Sequence, residues 1–284
     1  MKGKNMTKKP QGKCIFCGGD GLSKQHVWPE WLKNVIPRET STHIQHRMKI
    51  NYLSPECILV HPSFELHQGH GGVKKIRNVC RKCNSGWMSS LETKAKPILT
   101  SLILGEPITL DAHSQLVISA WSVMSNIMNE FTDQPTAAIP SFHRQILMES
   151  KRPAEGWNIW LGWYKGVNWK LRCRHHGFAA VPASQLINNN VNKIKGNTHV
   201  STFVLGELMI YSMSSTLPNF NIEFPGPLSQ SLRRIWPINQ ESIVWPPCQL
   251  LTDLDVNFIA DAFCLDLMKN HSNRVVPFTP SFHP

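Results

Sequence analysis

The sequence predicts an α+β protein, in which a metal-bound N-terminal finger precedes a mixed α/β domain. Three observations carry this. Two cysteine pairs, Cys14-Ile15-Phe16-Cys17 and Cys80-Arg81-Lys82-Cys83, stand at the two ends of the first third of the chain. A helical period runs through Leu116, Ala120, Val123, Ile127 and Phe131. From Gly156 the period changes to two, with Trp157, Ile159, Leu161 and Trp163 alternating with their neighbours.

The cysteine pairs come first in the argument because their chemistry is the most specific. Two Cys-x-x-Cys knuckles offer four thiolates, the ligand set of a closed tetrahedral zinc site. The 62 residues between Cys17 and Cys80 far exceed the roughly 15–20 of a common zinc ribbon. The excess is a long insertion, held at its base by the metal. It brings His26, close to the first knuckle, toward Asn84, directly beside the second.

Composition narrows the functional classes. The 284 residues are 41% hydrophobic, enough for a sizeable core. No apolar run is long enough to span a bilayer. The basic start Met1–Lys9 has no apolar segment behind it, so no secretory signal is expected and a reducing, cytoplasmic location is. In that compartment paired cysteines bind metal more often than they form disulfides. The net charge is +11, and residues 1–104 hold 17 Lys and Arg against 6 Asp and Glu, which already gives +11. Residues 105–284 hold 13 of each and are neutral. A basic module on a neutral body points to a polyanion partner.

In chain order, residues 1–12 read as a flexible basic tail. Residues 13–104 form the metal-bound unit. Within it Trp28, Trp31 and Leu32 share the spacing of one helical face, with Pro29 in its first turn. Residues 38–79 read as irregular and histidine-rich. The stretch His67-Gln68-Gly69-His70-Gly71-Gly72 is a loop that can sit at the surface, hold a second metal or bind phosphate. Lys74, Lys75, Arg77, Arg81 and Lys82 put five cations within nine positions, a candidate grip on a phosphate backbone. Residues 84–104 read as a helix with Pro97 inside, and 105–110 as a linker.

Residues 105–284 are expected to fold as an α+β domain. Asp111 caps a helix to about Phe131. Residues 157–163 and 169–174 are expected to pair as a β-hairpin, with Lys170, Arg172 and Arg174 in a row on one face that can track a phosphate backbone or simply meet solvent. A strand is expected over Thr202–Ser212, loop over 214–248, and a final helix over Leu251–Met268. Cys57, Cys173, Cys248 and Cys264 show no paired spacing and read as reduced thiols.

Two stretches carry a resemblance. Gln25-His26-Val27-Trp28-Pro29-Glu30-Trp31-Leu32 and Cys83-Asn84-Ser85-Gly86-Trp87-Met88-Ser89-Ser90-Leu91-Glu92 look like the stand-alone bacterial HNH endonucleases with zinc-binding cysteines. The likeness covers roughly residues 13–95. It implies a ββα-metal finger, a treble-clef variant, that hydrolyses phosphodiester bonds with one Mg²⁺ or Mn²⁺ ion. Cys14, Cys17, Cys80 and Cys83 would hold a structural zinc. His26 matches the histidine that activates water, and Asn84 matches a metal ligand on the finger helix. Asn78 matches the family's middle asparagine less well. Gln25 stands where the family places an acidic residue or histidine, and a neutral amide is a weaker ligand for a hard cation. Glu92, about 80° round an ideal helix from Asn84, is the candidate to compensate. The resemblance favours DNA over RNA as substrate and adds phage defence as a context. Residues 105–284 would supply target selection, homodimerisation or a face for a regulatory protein partner. The rival reading, which Gln25 favours, is a zinc-stabilised nucleic-acid-binding protein without catalysis.

Overall fold

The computed structural model describes residues 12–36, 42–54, 57–68, 74–132, 137–182, 196–218, 224, 226–262 and 273–276. The chain is a mixed α+β fold. Strand β1 (Leu22–His26) pairs antiparallel with β4 (Lys75–Cys80), Leu22 opposite Cys80 and His26 opposite Lys75, with a bulge after Ser23. Between them lie a single helical turn, α1 (Leu32–Val35), and an antiparallel ribbon of β2 (Thr42–Ser54) and β3 (Cys57–Gln68). The ribbon replaces the irregular stretch expected there.

Directly after β4 the chain turns into α2 (Arg81–Cys83), a π-type turn (Asn84–Met88) kinked at Gly86, and α3 (Ser89–Leu104). Pro97 lies inside α3, and Gly105 ends it in the left-handed conformation, φ 69°. Residues expected as a linker include a strand, β5 (Ile108–Asp111), paired with β11 (Ser242–Trp245). Asp111 then caps α4 (Ala112–Glu130), accepting a 2.7 Å hydrogen bond from the Ser114 N–H. From Val117 to Glu130 every residue of α4 is buried. A helix enclosed on all sides must lie between layers, and α4 packs on α3 and on the main sheet. α5 (Ser141–Ser150) follows.

That sheet runs β10 (Leu232–Trp236), β6 (Trp157–Tyr164), β9 (Leu208–Ser215), β8 (Thr198–Leu205), β7 (Leu171–Pro182), β13 (Asn273–Val276). β12 (Leu250–Leu251) joins β6 in parallel. α6 (Leu228–Ser231) and α7 (Asp253–Asn257) flank it, and α7 continues into a π-helical turn, Phe258–Ala262, within the expected final helix, whose residues 263–268 lie outside the described residues. β8 and β9 are buried along their whole length. One face meets the α3–α4 layer through Phe203, Ile210 and Ile159, and the other a second cluster with Trp160, Tyr211, Phe224 and Ile259.

The expected hairpin of residues 157–163 with 169–174 does not form. β9 and β8 lie between β6 and β7. Alternation fixes which face a residue takes but not which strand it pairs with. β8 and β9 are joined by only Gly206-Glu207, and such a two-residue turn is the stronger local signal. Gly206 sits at φ 59°, where a Cβ would meet the Ile103 carbonyl at 2.6 Å, and the Glu207 N–H donates to that carbonyl at 2.9 Å. The β6–β7 connection folds instead around Asp253, which accepts from the Tyr164 hydroxyl and the N–H groups of Val167 and Asn168.

Polar groups are built into the α4–sheet layer. The Glu130 carboxylate is fully buried and accepts the N–H groups of Ala138 and Ile139. It lies 3.4 Å from His199 Nδ1, while His199 Nε2 and the Ser201 hydroxyl meet Asn126 Oδ1. His143, 1% exposed, accepts at Nδ1 from Trp157 Nε1 at 3.0 Å and lies 3.2 Å from the Ser214 hydroxyl. Burial, then the Arg144 charge, lower His143 to about 4 against a smaller opposing pull from Glu130. Protonation would turn the accepting Nδ1 into a donor facing other donors. The unfolded chain therefore takes up this proton at higher pH than the folded one. Stability present above pH 6.5 should fall by about 3 kcal/mol as pH drops from 6.5 to about 4. Urea unfolding of wild type and His143→Gln across that window checks it: the variant should lose less stability in acid.

Candidate metal centre and polar rim of the finger

The first knuckle is shaped by backbone bonds. The Cys14 N–H donates to the Gly19 carbonyl and the Gly18 N–H to the Cys14 carbonyl, each at 2.9 Å, with Gly18 at φ 68°. The Gly19 N–H points at Cys17 Sγ, 3.4 Å away. The second knuckle forms where β4 enters α2, and there the Cys83 N–H donates to Cys80 Sγ at 3.4 Å. The Ile15 N–H donates to the Asn78 carbonyl at 2.9 Å and the Arg81 N–H to the Gly21 carbonyl at 3.1 Å, which clamp the knuckles together. All four sulfurs lie within 4.8 Å of one another, and Cys17 and Cys80 Sγ are 3.5 Å apart. Tetrahedral Zn–S bonds of about 2.3 Å need sulfurs about 3.8 Å apart. The four cysteines can hold a metal ion, and their geometry is compatible with zinc. Burial works against the Cys17 thiolate, yet the Gly19 N–H and the three neighbouring thiols bring it down to about 7. Burial pushes Cys80 and Cys83 up.

The finger is joined to the body. Its buried residues Cys14, Phe16, Leu91 and Leu99 belong to one apolar cluster with α4 and the sheet. Trp28 meets Phe203 edge-on at 5.1 Å. Arg144 on α5 is buried, donating from Nε to the Ile15 carbonyl at 3.1 Å and from Nη1 to the Ile139 carbonyl at 2.9 Å. Since Glu130 takes the Ile139 N–H, a line of polar contacts runs from α4 to the first knuckle.

His26 ends β1 directly opposite Lys75, so the two share a face. Exposed Arg77 follows two residues on. The His26 side chain is 22% exposed, and its Nε2 lies 3.8 Å from Glu30 Oε2. Its Nδ1 is enclosed without a protein partner. Burial, then the Lys75 and Lys33 charges, hold His26 below its ordinary range, with Glu30 opposing. The imidazole is therefore neutral at pH 7 and can accept a proton. Glu30 is itself lowered by its hydrogen bond from Lys33. The sequence reading passed over Glu30, although the four-residue step from His26 was a usable signal.

The remaining candidates fall into distinct neighbourhoods. Gln25, half-buried, sits opposite Ile76, and strand alternation turns it away from the His26 face. The Asn84 amide donates to the Ser23 hydroxyl at 3.1 Å, and Ser23 donates to the Val79 carbonyl at 3.2 Å. Glu92, half-buried on α3, is raised by burial, with Trp31 and Lys96 pulling it back. The carboxylate that acts on His26 is Glu30. Lys75, Arg77, Arg81 and Lys82 are exposed, and Lys74 is half-buried, its carbonyl receiving the Val27 N–H at 2.9 Å. On β7 and just before it, Lys170 and Arg172 are exposed and Arg174 lies 5.4 Å over the Trp169 ring. Leu171 and Cys173 of β7 pack against the apolar cluster that the finger shares with the body. Of the expected glycine loop, residues 69–72 lie outside the described residues, as does Cys264. Cys173 and Cys248 are free thiols.

Searches of family models, curated proteins and solved structures gave no match. Among the described residues no helix is long and apolar enough to cross a membrane.

Proposed function

We propose that this chain is a metal-dependent HNH-type endonuclease that cleaves phosphodiester bonds in DNA, in the cytoplasm. The observation that carries the reading is His26. It is a neutral, half-buried imidazole on the rim of a two-strand-plus-helix unit gathered over four thiols, beside exposed Lys75 and Arg77. In this reading the unit is a ββα-metal finger of the treble-clef type. Zinc on Cys14, Cys17, Cys80 and Cys83 is structural, because four thiolates leave no open position. His26 takes the proton of the attacking water. Glu30 stabilises the imidazolium that results, and Lys75 and Arg77 hold the phosphate. The hydrogen bond from Asn84 to Ser23 uses its amide nitrogen and leaves its oxygen for a cation. Asn84 would hold a Mg²⁺ or Mn²⁺ ion, which when bound supplies charge stabilisation at the phosphate; Gln25 is turned to the other face of β1 from His26.

A second reading rests on Gln25. With an amide in that place, the finger is a zinc-stabilised nucleic-acid-binding module that does not cut. Plasmid cleavage by wild type and Gln25→Glu, in metal-free buffer and with Mg²⁺ or Mn²⁺, separates the two. Metal-dependent nicking by wild type is the expected result. Salt-sensitive DNA binding with no cleavage by either protein would establish the binding module instead.

A further inference from the structure

The ribbon of β2 and β3 is the largest element of the finger that the proposed chemistry leaves without a task. Its register pairs Thr42 to Tyr52 with Gln68 to Ile58. Ile44 faces Leu66, Ile50 faces Val60, and Gln45, Arg47, Lys49 and Asn51 face Glu65, Ser63, His61 and Leu59. Directly opposed residues share a face, and faces alternate along a strand. One face therefore carries the positions of Gln45, Arg47, Lys49, Asn51, His61 and Ser63. The other carries those of Ile44, Met48, Ile50, Val60, Phe64 and Leu66. His43, Leu59, Glu65 and His67 also fall on the first face, and Thr42, His46 and Gln68 on the second, so the ribbon has one largely polar face, rich in hydrogen-bonding residue types, and one largely apolar face.

Resting on the reading of DNA as substrate, we propose that this polar face reads base edges in the DNA major groove and sets where the nuclease cuts. Five features support it. The groove, about 12 Å wide, admits a two-stranded β-ribbon. Gln45 to Asn51 span six residue steps, about 20 Å, or roughly six base pairs. Glutamine, asparagine, arginine and lysine are the residue types that pair with adenine and guanine edges. The ribbon also leaves and rejoins the chain between the strands that carry His26 and Lys75, so it is tethered at both ends to the unit that holds the candidate base. The charge excess of residues 1–104 suits that partner.

The test uses the full-length, zinc-loaded protein. Targets are selected from a random duplex pool, and binding to the selected and a scrambled duplex is read by fluorescence anisotropy at fixed salt. Arg47→Ala and Gln45→Ala with Asn51→Ala should each weaken the selected duplex about tenfold, relax its preference, and leave scrambled-duplex binding within about threefold. Glu65→Gln removes the carboxylate on that face and should tighten both duplexes, a gain that misfolding cannot produce. Double-stranded RNA, whose deep, narrow major groove excludes a ribbon, should bind weakly. Wild type that fails to bind any DNA would overturn the nuclease reading itself. Wild type that selects and cuts a target, with all three variants unchanged, would overturn only the ribbon's role. So would equal binding to RNA, or affinity lost together with a dimer in sedimentation.

Discussion

His26→Ala should abolish most DNA cleavage while leaving the protein folded. A positioned general base contributes about 10²- to 10⁴-fold, so single-turnover nicking should fall by that factor. The substitution removes a half-buried side chain at the end of β1, whose main chain stays paired with Lys75. Zinc content and duplex affinity should therefore match wild type. Purified wild type and variant, compared at saturating DNA and Mn²⁺, give the answer. Cleavage that persists at the wild-type rate would remove His26 as the base. Equal loss of cleavage and DNA affinity would make it a binding residue instead.

The sequence showed some of this plainly, and the reasons differ by element. The cysteine knuckles were legible because metal-ligand spacing is local and chemically narrow. Their convergence in space bears out the reading of a metal site. Helix α4 was legible because Asp111, an apolar stripe and a boundary at Phe131 all agree. Strand pairing was not. β6 and β7 each show alternation, but the partners that separate them, β8 and β9, come later in the chain. The ribbon of β2 and β3 was hidden by histidines, which do not advertise strand. Glu130, Asn126 and Asn129 stood inside an apolar helix, a sign of buried hydrogen bonding, but nothing local could name His199 as a partner 69 residues away. Arg144 gave no signal at all, since its partner is a backbone carbonyl on the first knuckle. At the candidate site Glu30, the acid beside His26, was legible only through its four-residue step from that histidine, because no motif marks it.

The largest stability effect should come from the thiol cluster. Structural zinc sites in finger peptides bind with apparent free energies of about 10–16 kcal/mol, as large as the whole net stability of a typical domain, about 5–15 kcal/mol. Cys80 makes the consequence specific. Its sulfur accepts the Cys83 N–H and lies 3.5 Å from Cys17, so it links β4, the start of α2 and the first knuckle at one atom. Cys80→Ser keeps the shape but replaces a soft ligand with a hydroxyl. The variant should lose zinc and, with it, amide-exchange protection over residues 13–36 and 75–88. The body should hold for a physical reason. Leu91, Ala95, Leu99 and Leu102 bury α3 among α4 and the sheet, contacts that need no metal. The first knuckle, by contrast, reaches the body's polar network through Arg144 and shares the apolar cluster with few side chains of its own. Exchange mass spectrometry with zinc analysis should therefore show the boundary of unfolding near Met88. Unchanged protection in Cys80→Ser, or a fully protected wild type that carries no zinc, would show that packing rather than metal holds the finger.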